Sequence, residues 1–287
     1  MSLAGQQEAQ GRRCYLCGSG AMAPLIEVKR HRILHCKHCG LGETEGAVGE
    51  PVYDATYLSQ QWSGTDPSQK QVERAVRAEL RRVRVIERTA AGRRLLELGV
   101  GHGYFLEAAR RRGFEVRGID LSRAAAEFSR SRFGFEVAVT AIEEADLPGA
   151  AFDVAAAWHV LEHVADPRAV LRKVSGWLAP GGIVAVEVPN YESYDARVQG
   201  ARWQGWQPQY HRWHFTPRAL AGLLEQAGFA VEQMWSPPSR IARERLKRIP
   251  FVGLFRPILS RFYTGTGIAA IARKARLSFS ASSLPSP

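Results

Sequence analysis

Residues 94–105 read RLLELGVGHGYF, a short apolar run that ends in Gly99-x-Gly101-x-Gly103 and passes directly into FLEAARRRG. An apolar run of this length, closed by glycines, predicts a buried strand, and the segment after it predicts a helix. Strand, glycine turn and helix together open a βαβ unit of a parallel sheet. FEVRGIDLS then supplies a second strand, ending on Asp120, seventeen residues beyond Gly103. Glycines let backbone approach a ligand closely, and a carboxylate at the end of the next strand can accept both hydroxyls of a ribose.

Glycine-rich strand-to-helix turns also serve dinucleotides and phosphates. Here the spacing is G-x-G-x-G rather than G-x-G-x-x-G, and Glu97 stands two residues before the first glycine. In these features the chain resembles class I S-adenosylmethionine-dependent methyltransferases. The resemblance implies that the loop of Gly99, Gly101 and Gly103 wraps the methionine part of S-adenosylmethionine and that Asp120 holds its ribose. Glu97, Tyr104 and Leu121 complete the implied neighbourhood. Further along, 140–148 (TAIEEADLP) resembles the family's adenine-contacting segment, which would set Ile142 against the ring and Glu143 near its amino group. Residues 152–159 resemble the fourth strand, and 174–182 (VSGWLAPGG) lead into a fifth, IVAVEVPN. The resemblance covers roughly residues 90–235. It implies a Rossmann-like α/β fold, with a mostly parallel seven-stranded sheet and helices on both faces.

Methyl transfer from a sulfonium is an in-line displacement, so the protein must position a nucleophile and take up its proton. Histidine suits that task at neutral pH. Of eight histidines, His31, His35 and His38 lie near the N-terminus and His102 in the glycine loop. The other four flank the ends of strands four and five, where an open α/β sheet binds its ligand. His159 and His163 belong to WHVLEHVADP; His211 and His214 belong to RWQGWQPQYHRWHFTP. The base is expected to be His211 or His163, with His159 and Glu162 as polar neighbours, although each histidine also has a structural reading as a cap or core hydrogen-bonder. Thr216 is placed to cap the helix that begins at Pro217. Residues 191–216, with Trp203, Trp206, Tyr210 and Trp213, are expected to form an acceptor-binding lid over the cleft.

WHVLEHVADP also resembles the corresponding segment of ubiquinone-pathway O-methyltransferases, some of which hold a divalent ion on E-x-x-E-H. His159 stands where those proteins have the first acid, which weighs against a catalytic metal. A cysteine module ahead of such a domain resembles sugar C-methyltransferases of antibiotic pathways as well.

All four cysteines fall in the first forty residues, as Cys14-Tyr-Leu-Cys17-Gly and Cys36-Lys-His-Cys39-Gly, with eighteen residues between the pairs. Two C-x2-C-G knuckles at this spacing suit tetrahedral Zn2+ in a small zinc-ribbon-like module over residues 1–50. Two disulfides or free thiols are the alternative. Four cysteines fill the shell, so the zinc would be structural, folding a module too small to hold itself together.

The 287-residue chain, 45% apolar, can bury one full-sized core and carry a small appendage. No run approaches the roughly 18 apolar residues of a bilayer span, and the first residues lack a signal peptide's apolar stretch, so a cytoplasmic location is expected. A formal charge of +11 implies attraction to nucleic acid, a phosphorylated small molecule or an acidic membrane surface. Arginines crowd the last part of the chain, from Arg240 to Arg276. A polar linker with Tyr53 and Tyr57 precedes a helix predicted over 68–89, with Val72, Val76, Leu80, Val83 and Ile86 at helical spacing. The methyltransferase domain is expected to fill 90–276, with a helix and strand over 217–236 and a last strand in TGTGIAAIARK. The insert 237–264 mixes arginines with apolar residues and suits either peripheral membrane contact or a hairpin packed on its own domain. Residues 277–287 read as a disordered tail.

Three functions compete. The first is methylation of a small-molecule acceptor, anionic or lipid-linked, at a hydroxyl or sugar carbon. The second is ribosomal RNA base methylation, which Val188-Pro-Asn190 disfavours because it is not the N-P-P-Y of many amino-group methyltransferases. The third is a non-catalytic cofactor-binding module, weakened by the intact glycine loop and Asp120.

Overall fold

The computed structural model describes residues 11–46, 67–246 and 263–275. Three short antiparallel strands come first, β1 (Met22–Val28), β2 (His31–Cys36) and β3 (Gly42–Thr44). Lys29 and Arg30 turn between β1 and β2 with positive φ at both positions, the twist that a tight hairpin needs. Helix α1 (Gln69–Thr89) follows, one residue inside the predicted span. Ser68 and Gln71 form a capping box at its start, and Val72, Val76, Val83 and Ile86 are its buried stripe.

The glycine-turn region then runs β4 (Arg94–Leu98), α2 (Tyr104–Arg111), β5 (Glu115–Asp120), α3 (Arg123–Phe133) and β6 (Val137–Val139). Next come β7 (Phe152–Trp158), α4 (Pro167–Trp177), β8 (Leu178–Pro189) and α5 (Tyr194–Gln199). The described chain ends with β9 (Trp213–His214), α6 (Pro217–Gln226), β10 (Phe229–Trp235), α7 (Arg240–Leu246) and β11 (Gly267–Lys274). Thr216 caps α6 by accepting from the Ala219 N–H, as its position predicts.

Seven strands form one sheet in the order β10-β11-β8-β7-β4-β5-β6. The run from β8 to β6 is parallel, and β11 pairs antiparallel with both β8 and β10. The expected Rossmann-like α/β class is what the chain adopts. Residues 154–157 and 183–186 are almost wholly buried, because helices cover both faces of these central strands. Helices α1 and α2 pack on one face, and α4 and α6 on the other. The chain walks from β4 outward to β6 and returns to β7 on the other side of β4. That reversal opens a crevice at the carboxyl ends of β4 and β7.

The second sheet has the order β1-β2-β3-β9. Its fourth strand comes from the segment expected to act as a lid, Glu43 pairing with Trp213 and Gly42 with His214. Trp203 and Trp206 are buried in one cluster with Val28, Ile33, Tyr191 and Ala196. Trp203 and Trp206 therefore pack on the hairpin of β1 and β2 and are not part of the crevice lining, to which the segment contributes Arg212. An apolar run announces burial without saying against what, and here the partner lies about 170 residues upstream. Most of the insert 237–264, the linker with Tyr53 and Tyr57, and the tail lie outside the described residues.

Candidate active site

Gly99, Gly101 and Gly103 all take positive φ, of 72°, 52° and 70°, a region open to glycine at little cost. Their roles differ. A Cβ on Gly99 would meet Val160 at 2.8 Å, and one on Gly103 would meet the Ser129 hydroxyl at 2.8 Å. Gly103 therefore serves the close packing of α2 on α3. A Cβ on Gly101 would meet nothing within 4 Å and would stand in open space. The loop is held by Asp120, whose carboxylate accepts from the N–H of Gly101 at 2.8 Å and of Ser122 at 2.7 Å.

Around this loop lies a cavity of about 870 Å³. Of the predicted cofactor set, Glu97, Gly99, Gly101, Tyr104, Asp120, Leu121, Ile142 and Glu143 line it, and Gly103 does not. Leu121 keeps 54% of its surface exposed, an unusual state for a leucine beside a core strand, and offers an apolar face to a planar ring. Glu97 is buried with Oε2 lacking a hydrogen-bond partner. Burial, reinforced by the nearby Glu79, pushes its carboxyl well above the usual range. A buried acid with one unpartnered oxygen, an open glycine and a carboxylate at the end of β5 fit a cationic nucleoside such as S-adenosylmethionine. Glu79 and Arg82 of α1 also line the cavity, and nothing in their local sequence marks them. Arg82 stacks over Trp158 and pairs with Glu187 of β8 at 2.8 Å, contacts made between distant parts of the chain.

A second part of the wall comes from residues 158–160 and 163–165 and from Arg212. His159 follows β7 with φ 58°, a left-handed conformation costly for a non-glycine residue, and its N–H donates to the Glu187 carbonyl. Its ring lies between Glu162 at 3.3 Å and Glu187 at 3.7 Å. Burial works against the imidazolium, but the two carboxylates outweigh it and raise its pKa. Glu187, desolvated yet facing His159 and Arg82, is held down to about 2.

His163 lines the cavity, while Glu162 and His211 sit beneath its wall. His163 Nδ1 is 3.1 Å from the Tyr210 carbonyl, and His211 Nδ1 is 3.0 Å from the Gly205 carbonyl. A carbonyl can only accept, so each ring carries a hydrogen on Nδ1, and the nitrogen left to give or take a proton is Nε2. Burial lowers His211 to about 4, which keeps it neutral. The two rings meet edge to face at 4.7 Å. Glu162, His163 and His211 also place ligand atoms within 4.8 Å of one another, a set able to hold a divalent ion.

His214 is not part of this group. It is buried, and its Nε2 lies 2.9 Å from the hydroxyl of Thr44 in β3.

The four cysteines converge as their spacing predicts. Cys14 and Cys39 sulfurs lie 3.4 Å apart and Cys17 and Cys36 sulfurs 3.6 Å apart, well beyond the roughly 2.05 Å of a disulfide. A tetrahedron with metal–sulfur bonds of about 2.3 Å has edges of about 3.8 Å, close to these separations. Backbone N–H groups of Leu16 and Cys17 point at Cys14, that of Ser19 at Cys17 and that of Leu41 at Cys39. Such a cradle stabilises thiolates and suits zinc. Tyr15, inside the first knuckle, donates to Asp166, accepts from the Arg168 N–H and packs on Trp213 with ring centroids 4.5 Å apart.

The methyltransferase domain family matches residues 68–234, more than half of the chain. A ubiquinone biosynthesis O-methyltransferase of Ruegeria pomeroyi is 35% identical over 168 residues, which cover 55% of this chain and 68% of that protein. One of the same name from Aeromonas salmonicida is 32% identical, over 50% of this chain and 65% of its own length. Among solved structures, an S-adenosylmethionine-dependent methyltransferase from Archaeoglobus fulgidus superposes with a TM-score of 0.55 at 21% identity, covering 76% of this chain and 99% of the other. The chain belongs to the methyltransferase domain family and has the fold of S-adenosylmethionine-dependent methyltransferases.

Proposed function

We propose that the enzyme methylates a hydroxyl group of a small-molecule acceptor, with His163 as the base that takes the hydroxyl proton. The observation that carries this reading is the contact between His163 Nδ1 and the Tyr210 carbonyl at 3.1 Å. A carbonyl accepts only, so Nδ1 carries a hydrogen and Nε2 is the nitrogen available to take a proton, on a residue that lines the cavity. The relatives named as O-methyltransferases support a hydroxyl rather than a sugar carbon as acceptor.

Within this reading S-adenosylmethionine supplies an electrophilic methyl on a sulfonium. Asp120 would hold the ribose, Glu97 the ammonium, Leu121 and Ile142 the adenine ring, and Glu143 its amino group. Gly99, Gly101 and Tyr104 shape the turn around the methionine part. Glu162, which is buried and flanked by His159 and the two other histidines, positions His163 rather than reacting itself. His159, between two carboxylates that favour its protonated form, is not the base in this reading. The four cysteines hold a structural zinc.

A second reading is favoured by the convergence of Glu162, His163 and His211. A divalent ion there would acidify the acceptor hydroxyl and take the place of the base. Turnover that requires added magnesium or manganese would favour it; turnover independent of both favours the base.

Calorimetric titration with S-adenosylmethionine tests the cofactor assignment. Binding by the wild type that is lost in Asp120→Ala supports it, and no binding by folded wild type overturns it. A screen of phenolic and sugar hydroxyl acceptors with wild type and His163→Ala then tests the base.

A further inference from the structure

The two halves of the cavity differ in charge. Glu79, Glu97, Asp120, Glu143 and Glu144 all lie on the side of α1, the glycine loop and 140–144. The wall formed by 158–165 and Arg212 contributes no carboxylate to the lining, since Glu162 is buried behind it. The acidic half complements a cationic cofactor. The other half carries Arg212.

Arg212 is fixed at both ends of its peptide. Its N–H donates to the Glu162 carbonyl at 2.8 Å, and its carbonyl accepts from the Thr44 N–H at 2.9 Å. Its guanidinium lies 5.4 Å from the centroid of the Trp213 ring. That ring is itself fixed, by a bond from its Nε1 to the Val164 carbonyl at 2.9 Å and by packing on Tyr15. Among the described residues no carboxylate forms an ion pair with Arg212, although most arginines of the chain's ion pairs engage one within about 3 Å. A guanidinium on a clamped backbone, stacked on a rigid indole at the edge of a cavity, presents a planar donor fork suited to carboxylate or phosphate.

We propose that Arg212 binds an anionic group, carboxylate or phosphate, on the methyl acceptor and so sets the acceptor class of this enzyme. The inference rests on the reading of the 158–165 wall as the acceptor side. His159 and His163, on the same wall, place the reactive hydroxyl while Arg212 holds the charged end of the molecule.

The test uses the full chain loaded with S-adenosylhomocysteine and titrated calorimetrically with benzoate, phenyl phosphate and neutral benzyl alcohol. At least one of the two anions is expected to bind about tenfold more tightly than benzyl alcohol, the size of a charge-assisted hydrogen bond. Which anion gains more separates a carboxylate-bearing acceptor from a phosphate-bearing one. Arg212→Gln is expected to abolish the preference, Arg212→Lys to keep part of it, and neither to change S-adenosylhomocysteine affinity. Failure of both anions to outbind benzyl alcohol, or a preference that survives in Arg212→Gln, overturns the proposal. Failure of the wild type to bind S-adenosylhomocysteine is a separate result, and it overturns the cofactor assignment together with the inference built on it.

Discussion

His159 shows how much of this site is electrostatic arrangement. The chain accepts a left-handed backbone there, and the ring gains Glu162 and Glu187 on either side, with Arg82 balancing Glu187 from beyond. The folded state favours the protonated ring, so its pKa rises to about 10. The stabilisation is complete below the unfolded histidine's pKa of about 6.5 and is lost as pH rises through the folded value. The stability advantage of wild type over His159→Gln, measured by chemical denaturation, should therefore be largest near pH 6 and shrink steadily towards pH 10; an advantage that grows with pH would contradict the arrangement. His163 has the opposite task, because it must offer a lone pair. Replacing it with alanine should lower kcat by about 10²- to 10⁴-fold while S-adenosylmethionine affinity stays within about twofold. A comparable loss of cofactor binding would reassign His163 to the cofactor wall. At Gly101, where a side chain would project into open space, valine should weaken cofactor binding with little change in the far-UV spectrum.

Within strand β3, Thr44 joins the cysteine module to the segment that carries His211 and Arg212. Thr44 donates its hydroxyl hydrogen to the His211 carbonyl at 2.7 Å and accepts from His214 Nε2, and its N–H binds the Arg212 carbonyl. Thr44→Val keeps the shape and removes the hydroxyl, leaving His214 Nε2 buried without a partner at a cost of about 1–3 kcal/mol. The expected outcome is a raised acceptor KM with unchanged cofactor affinity, read by steady-state kinetics and calorimetry; equal effects on both would show that β3 has no special hold on the acceptor side. This link was not legible in the sequence. Strand β4, the glycine turn and Asp120 were legible, because period, glycine placement and strand length are local properties. The partners of Trp203 and Trp206, the two-residue strand β9 and the pair Arg82–Glu187 depend on residues more than a hundred positions apart, and hydrophobicity alone does not name a partner. His211 and His163 could be shortlisted from composition, yet only the carbonyls facing their Nδ1 atoms tell which nitrogen is basic.

At the scale of the molecule, two sheets share one apolar interior. Cys14, Leu16, Leu34 and Leu41 belong to the same cluster as Leu220, Leu223 and the inner residues of β7 and β8. Metal on the cysteines is therefore expected to stabilise more than the segment that holds it. Purified protein should contain one zinc per chain by atomic absorption. Cys36→Ser should lower the melting temperature and raise the acceptor KM while S-adenosylhomocysteine still binds, because the glycine loop and Asp120 lie on the other sheet. Loss of cofactor binding in that variant would mean that the two sheets fold as a single unit. The borrowing of β9 also sets a timetable for biosynthesis. The knuckles are made with their thiols ready for metal well before the strand that completes their sheet, which follows only after the whole crevice has been translated. Until then the edge of β3 and the face of Tyr15 stay open to another nascent strand, so this segment gains from protection during synthesis.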